Sequence, residues 1–256
     1  MSGGKTRDGV CILGIYKPVF AMLHLKGSGR SGRIERMARE LDIYRESGID
    51  GIIVENYFGD EGDAEAALDC LRSGDFGQSG MKLGVNVLNN DGLGFGMAVK
   101  YRADFIQLDS VSGHLPPDRD DEFHRFILDR RSVCEAKVFG GVRFKYQPYK
   151  SGRSVAEDLE IGMTRCDAVV VTQDATGQEV SMEKITEFRG LLGDFPLIAG
   201  AGMTPENCAR QLALVDGVIA GSYFKDTYKA DGDVCASHCA AFMDAVNSVR
   251  KECDAA

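Results

Sequence analysis

Gly51-Ile52-Ile53-Val54-Glu55-Asn56 runs apolar without alternation and then stops at a carboxylate and an amide. A strand with one wet face alternates apolar and polar residues. An unbroken β-branched run instead describes a strand buried on both faces, as in a parallel sheet covered by helices. Ala168-Val169-Val170-Val171-Thr172 reads the same way. Working outward from these two, similar apolar runs place strands at 19–24, 51–55, 82–87, 104–109, 137–145, 168–172, 196–200 and 217–220. Helical patterns fall between them, near 34–47, 64–71, 93–101, 122–132, 155–163, 182–192, 205–212 and 234–250. Strand starts lie about 20 to 33 residues apart, the spacing of βα units.

Eight such units in 256 residues predict an α/β fold, a single (β/α)8 TIM barrel, with a doubly wound open sheet as the alternative. The barrel is expected over 17–250, with 1–16 as an N-terminal extension or strand-like plug beneath it and 251–256 as a tail. Local signals agree. Ser154-Val155-Ala156-Glu157 reads as a capping box, and Thr204-Pro205 puts an N-cap before a proline at the first helical position. Gly48 stands where the first helix needs a left-handed stop. Gly94-Phe95-Gly96 lies within a helix and is no dinucleotide fingerprint.

Composition narrows the function classes. The formal net charge is −9, a field that repels nucleic acid and anionic lipid surfaces. No apolar run approaches the roughly 18 residues of a membrane span, and the first residues, Met1-Ser2-Gly3-Gly4-Lys5-Thr6, lack the apolar stretch of a signal peptide. A cytoplasmic location is expected, with the eight scattered cysteines reduced. Cys235, His238 and Cys239 have helix-face spacing, but zinc needs a fourth ligand, so an ordinary helix face is the preferred reading. Asp118-Arg119-Asp120-Asp121-Glu122 reads as the solvated acidic start of a helix.

Active sites of this fold form at the C-terminal strand ends. Those ends offer His24, Glu55-Asn56, Asn86 with Asn90, Asp109, Arg143 with Lys145, Thr172 with Asp174, Thr176 and Gly177, then Gly200 and Gly202, and Gly221-Ser222. Each has a structural competitor: His24 as a core histidine, Asn86 and Asn90 as turn formers, Asp109 as a cap. Glu55 and Asp109 share a rim and suit proton transfer beside a carbonyl, or holding Mg²⁺ together with substrate phosphate. No resident cofactor is evident. Strand alternation puts Arg143 and Lys145 on one side, aimed at the mouth with Lys150 and Arg153 nearby. Lys145 then serves as Schiff-base nucleophile or oxyanion partner, unless both cations simply pair with Glu55 or Asp109. Gly200, Gly202, Gly221 and Ser222 follow the last two strands, where barrels hold phosphate, and Lys225 is expected to add a cation there.

Val54-Glu55-Asn56-Tyr57-Phe58-Gly59-Asp60, Gly84-Val85-Asn86-Val87-Leu88-Asn89-Asn90-Asp91, Ala175-Thr176-Gly177 and Gly202-Met203-Thr204-Pro205-Glu206-Asn207 resemble motifs of the BtpA/SgcQ family. Lys17-Pro18-Val19 and Asp216-Gly217-Val218-Ile219-Ala220-Gly221-Ser222-Tyr223-Phe224-Lys225 match its opening and its last strand. The resemblance covers nearly the whole chain in order. It implies a phosphate-binding TIM barrel, in a family associated in one branch with photosystem I biogenesis and in another with sugar-phosphate genes. Two stretches depart from the pattern. Where members read Ala-Asp-Val-x-Val-Lys-His, this chain has Gly140-Gly141-Val142-Arg143-Phe144-Lys145-Tyr146, and Gln173-Asp174 fill the middle of a Val-Thr-Gly-x-Ala-Thr-Gly motif.

Two functions remain open at this level. One is an enzyme acting on a phosphorylated sugar or similar small phosphometabolite, as isomerase, epimerase or aldolase-type lyase, with Glu55, Asp109 or Asp174 moving the proton. The other is a non-catalytic assembly or regulatory factor that keeps the phosphate-ligand site. Apolar positions on the last helix, such as Phe242 and Val246, suit barrel packing or a homo-oligomer.

Overall fold

The structure is a computed structural model that describes residues 10–254. The expected extension and tail lie partly outside it, at 1–9 and 255–256. Ten strands follow in chain order: β1 (Cys11–Ile12), β2 (Ile15–Tyr16), β3 (Val19–Leu23), β4 (Gly51–Glu55), β5 (Lys82–Asn86), β6 (Phe105–Ser112), β7 (Lys137–Val142), β8 (Ala168–Val171), β9 (Leu197–Ala199) and β10 (Gly217–Ala220). β1 and β2 make an antiparallel hairpin, and the others close a parallel barrel in the order β10-β3-β4-β5-β6-β7-β8-β9. Pairing of Val218, Ile219 and Ala220 with Val19, Phe20 and Ala21 seals it, which rules out the open sheet.

Alternation decides which side chains enter the barrel. Phe20, Met22, Ile53, Phe105, Phe139, Ala168, Val170, Ile198 and Ile219 pack inside, while Val19, Ala21, Ile52, Val54, Val169 and Val171 pack outward against helices. Both faces are apolar, so the runs show no alternation. Phe20, Phe105 and Phe139 fill the lower interior, with Phe105 and Phe139 stacked at 4.4 Å. Gly84 makes room for Phe105, whose ring a Cβ there would meet at 2.3 Å. Ile12 of the hairpin joins the interior cluster from below.

Among the described residues eight α-helices cover the outside: α1 (Gly29–Glu46), α2 (Glu61–Ser73), α3 (Asp91–Lys100), α4 (Pro117–Arg131), α5 (Val155–Arg165), α6 (Met182–Leu192), α7 (Pro205–Leu212) and α8 (Ala236–Asp254). Ser154 and Glu157 form the expected capping box, and Gly48 sits at φ +73° after α1. Phe242 and Val246 are buried in barrel packing. The acidic start of α4 differs from expectation: Asp120 is buried because Arg165 and Arg153 both bind its carboxylate, at 2.8 and 2.9 Å.

A repeated acid fixes the lower end. Asp50, Asp104, Asp167 and Asp216 each directly precede alternate strands, β4, β6, β8 and β10. Each carboxylate accepts the backbone N–H of the preceding strand, from Val19, Leu83, Val138 and Leu197, at 2.7 to 2.9 Å.

Candidate functional site

Inward alternation continues past the apolar layers to the strand ends. Phe20 and Met22 lead to His24, Ile53 to Glu55, Phe105 to Gln107 and Asp109, Ile198 to Gly200, and Ile219 to Gly221. These residues surround a cavity of about 340 Å³ at the C-terminal end, floored by Met22, Phe144 and Ile219. Its upper wall comes from loops carrying Tyr57, Tyr146, Gln147, Thr176, Gly177, Thr204, Ser222, Tyr223 and Tyr228.

Two carboxyl groups share one amide at its centre. Asn86 Nδ2 donates to Glu55 Oε1 at 2.9 Å and to Asp109 Oδ1 at 3.2 Å. Glu55 is only 6% exposed. Burial and the neighbouring Asp109 push its carboxyl up to about 8, against the pull of Lys145 and Asn86. Burial also raises Asp109. His24 Nε2 lies 3.6 Å from Glu55 Oε2. Burial, with Lys225 and Lys145 nearby, lowers the imidazole to about 3, so near neutral pH the contact joins a neutral histidine to a protonated glutamic acid. It is not an ion pair.

The glycines give the opposite wall its shape. Gly202 adopts φ +67°, and a Cβ there would sit 2.2 Å from Glu179 N. A Cβ on Gly221 would press on His24 and Met22 at 3.2 Å. Gly177, at φ +78°, passes against Ser222. Thr176 N donates to Tyr146 Oη at 2.9 Å, which ties the loop after β8 to the one after β7.

His24, Glu55, Asp109, Lys145, Thr176, Gly177, Gly200, Gly202, Gly221 and Ser222 therefore meet around one cavity. The remaining expected positions do not line it. Arg143 takes φ +49°, which ends β7 at Val142 and breaks the alternation expected over 137–145. Phe144 takes the inward place, and Arg143 turns outward to Asp158 at 3.0 Å and the Arg153 carbonyl. Arg153 is itself held by Asp120. The basic mouth is thereby reduced to Lys145, the one lysine or arginine among the described residues lining the cavity. Lys225 is 1% exposed and bonded to Glu40 of α1 at 2.7 Å, because the chain turns through a 3₁₀ segment, Ser222–Phe224, before reaching it. It is a core ion pair rather than a phosphate ligand.

Asp174 is solvent-exposed and stands outside the cavity lining, two residues before Thr176, which is part of it. Thr172 is buried, and its Oγ1 accepts the Lys145 backbone N–H at 2.8 Å. Asn56 Oδ1 accepts from Leu88 N, and Asn90 caps α3 through Leu93 N, so both hold loops. Asn86 acts from behind the two acids. Sequence reading missed Gln107, although it stands two residues before Asp109 on one strand face, a signal that alternation supplies. Tyr223 and Tyr228 carried no such signal.

Among the described residues no three His, Cys, Asp or Glu side chains converge as a metal needs. Cys235 precedes α8 and contacts Ser237, His238 stacks on Tyr228, and Cys239 is buried. No helix among the described residues is long and apolar enough to cross a membrane.

An uncharacterized protein of Thermococcus kodakarensis is 28% identical over 92% of this chain and 97% of its own length. The photosystem I biogenesis protein BtpA of Synechocystis is 25% identical, over 82% of this chain and 81% of its own. Among solved structures, the (S)-3-O-geranylgeranylglyceryl phosphate synthase of Thermoplasma acidophilum, in complex with sn-glycerol-1-phosphate, superposes with a TM-score of 0.57. It shares 16% identity over 91% of this chain and 94% of that one, a likeness of fold alone. The BtpA family model matches residues 15–248, the complete barrel, and the chain belongs to the BtpA family.

Proposed function

We propose that the protein is an enzyme that moves a proton beside a carbonyl in a small phosphorylated sugar or similar phosphometabolite, as an isomerase, epimerase or aldolase-type lyase. The observation that carries this reading is the carboxyl pair. Glu55 and Asp109 hang from one amide at the cavity's centre, and Glu55 holds its proton near neutral pH. Two coupled carboxyl groups on one amide can divide the acid and base roles between them. Protonated Glu55 serves as the acid and Asp109 as the base. Lys145 stabilises the developing oxyanion or forms a Schiff base with the carbonyl. The 200–204 and 221–222 loops take the phosphate, where glycine backbone approaches an anion without side-chain interference. The glycerol phosphate bound to the fold neighbour agrees with a phosphorylated ligand for this architecture.

Thermal denaturation with a panel of phosphosugars tests the ligand class. A ligand at 100 times its dissociation constant stabilises the fold by about 2.7 kcal/mol. A phosphosugar that both shifts the melt and turns over supports the reading. A shift without turnover across isomerase, epimerase and lyase assays would leave the chain as a ligand-sensing assembly factor. Absence of any shift rejects the phosphate site. Borohydride trapping followed by mass spectrometry separates the two roles of Lys145, since only a Schiff base leaves a reduced adduct.

A further inference from the structure

A second chamber of about 140 Å³ adjoins the main cavity, lined among others by Asn86, Asp91, Asp109, Ser110, His114 and Gln147. Asp109 and Gln147 line both spaces. In the barrel order, β5 and β6 stand diametrically across from β9 and β10. The chamber therefore lies beyond the carboxyl pair as seen from the glycine loops.

Its walls are polar and hold no lysine or arginine among the described residues. Two carboxyl groups line it, so a second phosphate would meet repulsion with no lysine or arginine there to offset it. Ser110 is 6% exposed, and its hydroxyl has no hydrogen-bond partner within the protein. Gln107, 5% exposed on the same strand and lining the main cavity, has a buried Oε1 with no hydrogen-bond partner within the protein. Buried polar groups are almost always satisfied, and those left over mark places where a ligand or water completes the set. The space holds several water-sized groups, each of which needs at least about 10–15 Å³. Acceptors at Asp91 and Asp109, a donor at Gln147, and a serine that does both suit hydroxyl groups.

We infer that this chamber is a subsite for the hydroxylated tail of an extended substrate, with phosphate at the glycine loops, the reacting carbons at Glu55 and Asp109, and a neutral polyol end beyond them. The inference rests on the phosphometabolite reading and sharpens it. The preferred substrates are phosphorylated sugars of five or more carbons rather than triose phosphates.

Calorimetric titration of the full chain with ribitol 5-phosphate and glycerol 3-phosphate tests this without turnover. The wild type is expected to bind ribitol 5-phosphate about tenfold or more tightly, the return on one or two extra hydrogen bonds. In Ser110→Val that ratio falls toward one, while glycerol 3-phosphate affinity stays the same. Equal affinities in the wild type, a comparison that needs no variant, would overturn the subsite. So would a ratio untouched by the substitution, or tighter binding of phosphoethanolamine than of ribitol 5-phosphate. If neither phosphate compound binds, the phosphate reading fails by itself, and titration with xylitol decides the chamber. Chemical-shift changes at Asn86 and Ser110, with the Asn86 change lost in Ser110→Val, support it; none at 100 mM xylitol rejects it.

Discussion

Carboxylates occupy both ends of this barrel, and the two sets behave in opposite ways. At the lower end Asp50, Asp104, Asp167 and Asp216 each accept a backbone N–H from the neighbouring strand. Each also meets a cation: Arg250, Lys82, Arg131 and Arg189 respectively. Burial alone would raise Asp167, but Arg131 and the Val138 N–H hold it below the ordinary carboxylate range. At the upper end Glu55 and Asp109 share a neutral amide, face one another, and are both raised. The same chemical group is a brace where donors and cations saturate it. Its protonated form is favoured where burial and, at Glu55, a like neighbour outweigh the donors.

Breaking the upper pair gives the largest expected effect. Once a phosphorylated substrate is in hand, Glu55→Gln lowers kcat by about 10² to 10⁴-fold, the usual worth of a positioned acid, with the fold intact by circular dichroism. Unchanged turnover in both Glu55→Gln and Lys145→Met would remove the assignment of these residues. A lower-end acid should do the reverse. Asp216→Ala removes one partner of the half-buried Arg189 and leaves the Leu197 N–H without its acceptor, and should cost about 3 kcal/mol in urea denaturation. Ligand affinity per folded molecule should not change.

The protonation contrast has its own signature. Unfolded Glu55 titrates near 4.5, whereas folding holds it to about 8. Folding thus takes up a proton between those values, and the group's contribution to stability falls as pH rises through that window. Wild-type stability relative to Glu55→Gln should decline by a few kcal/mol between about pH 5 and pH 8. A difference that is flat with pH would mean that Glu55 is ionised in the folded protein. The smallest effect is expected at Ser222→Ala, which removes one hydroxyl from the phosphate loops. It should weaken inorganic phosphate binding by a few fold, about 1 kcal/mol, without altering stability.

The barrel was legible because its strands carry apolar residues on both faces, a pattern local enough to read from Ile52-Ile53-Val54 or Val169-Val170-Val171. The inward parity that sets Phe20, Ile53 and Phe105 in the core also sets His24, Glu55 and Asp109 at the mouth, so those three were legible too. Arg143 was misread because parity holds only while the backbone stays extended, and a single left-handed residue reversed it. Lys225 was misread because its partner, Glu40, lies 185 residues away in sequence. The four lower-end aspartates were visible as residues, but their hydrogen bonds run to neighbouring strands and exist only after pairing.

Sequence alone determined the order of strands and helices, the eight-unit count and the residues standing at each strand end. These depend on periodicity and local propensity, which a linear chain displays. Tertiary structure decided that the sheet closes, that the expected basic mouth narrows to Lys145, and that Glu55 keeps its proton. Those outcomes depend on burial and on charges brought together from distant parts of the chain, and free energies of that kind belong to the packed molecule.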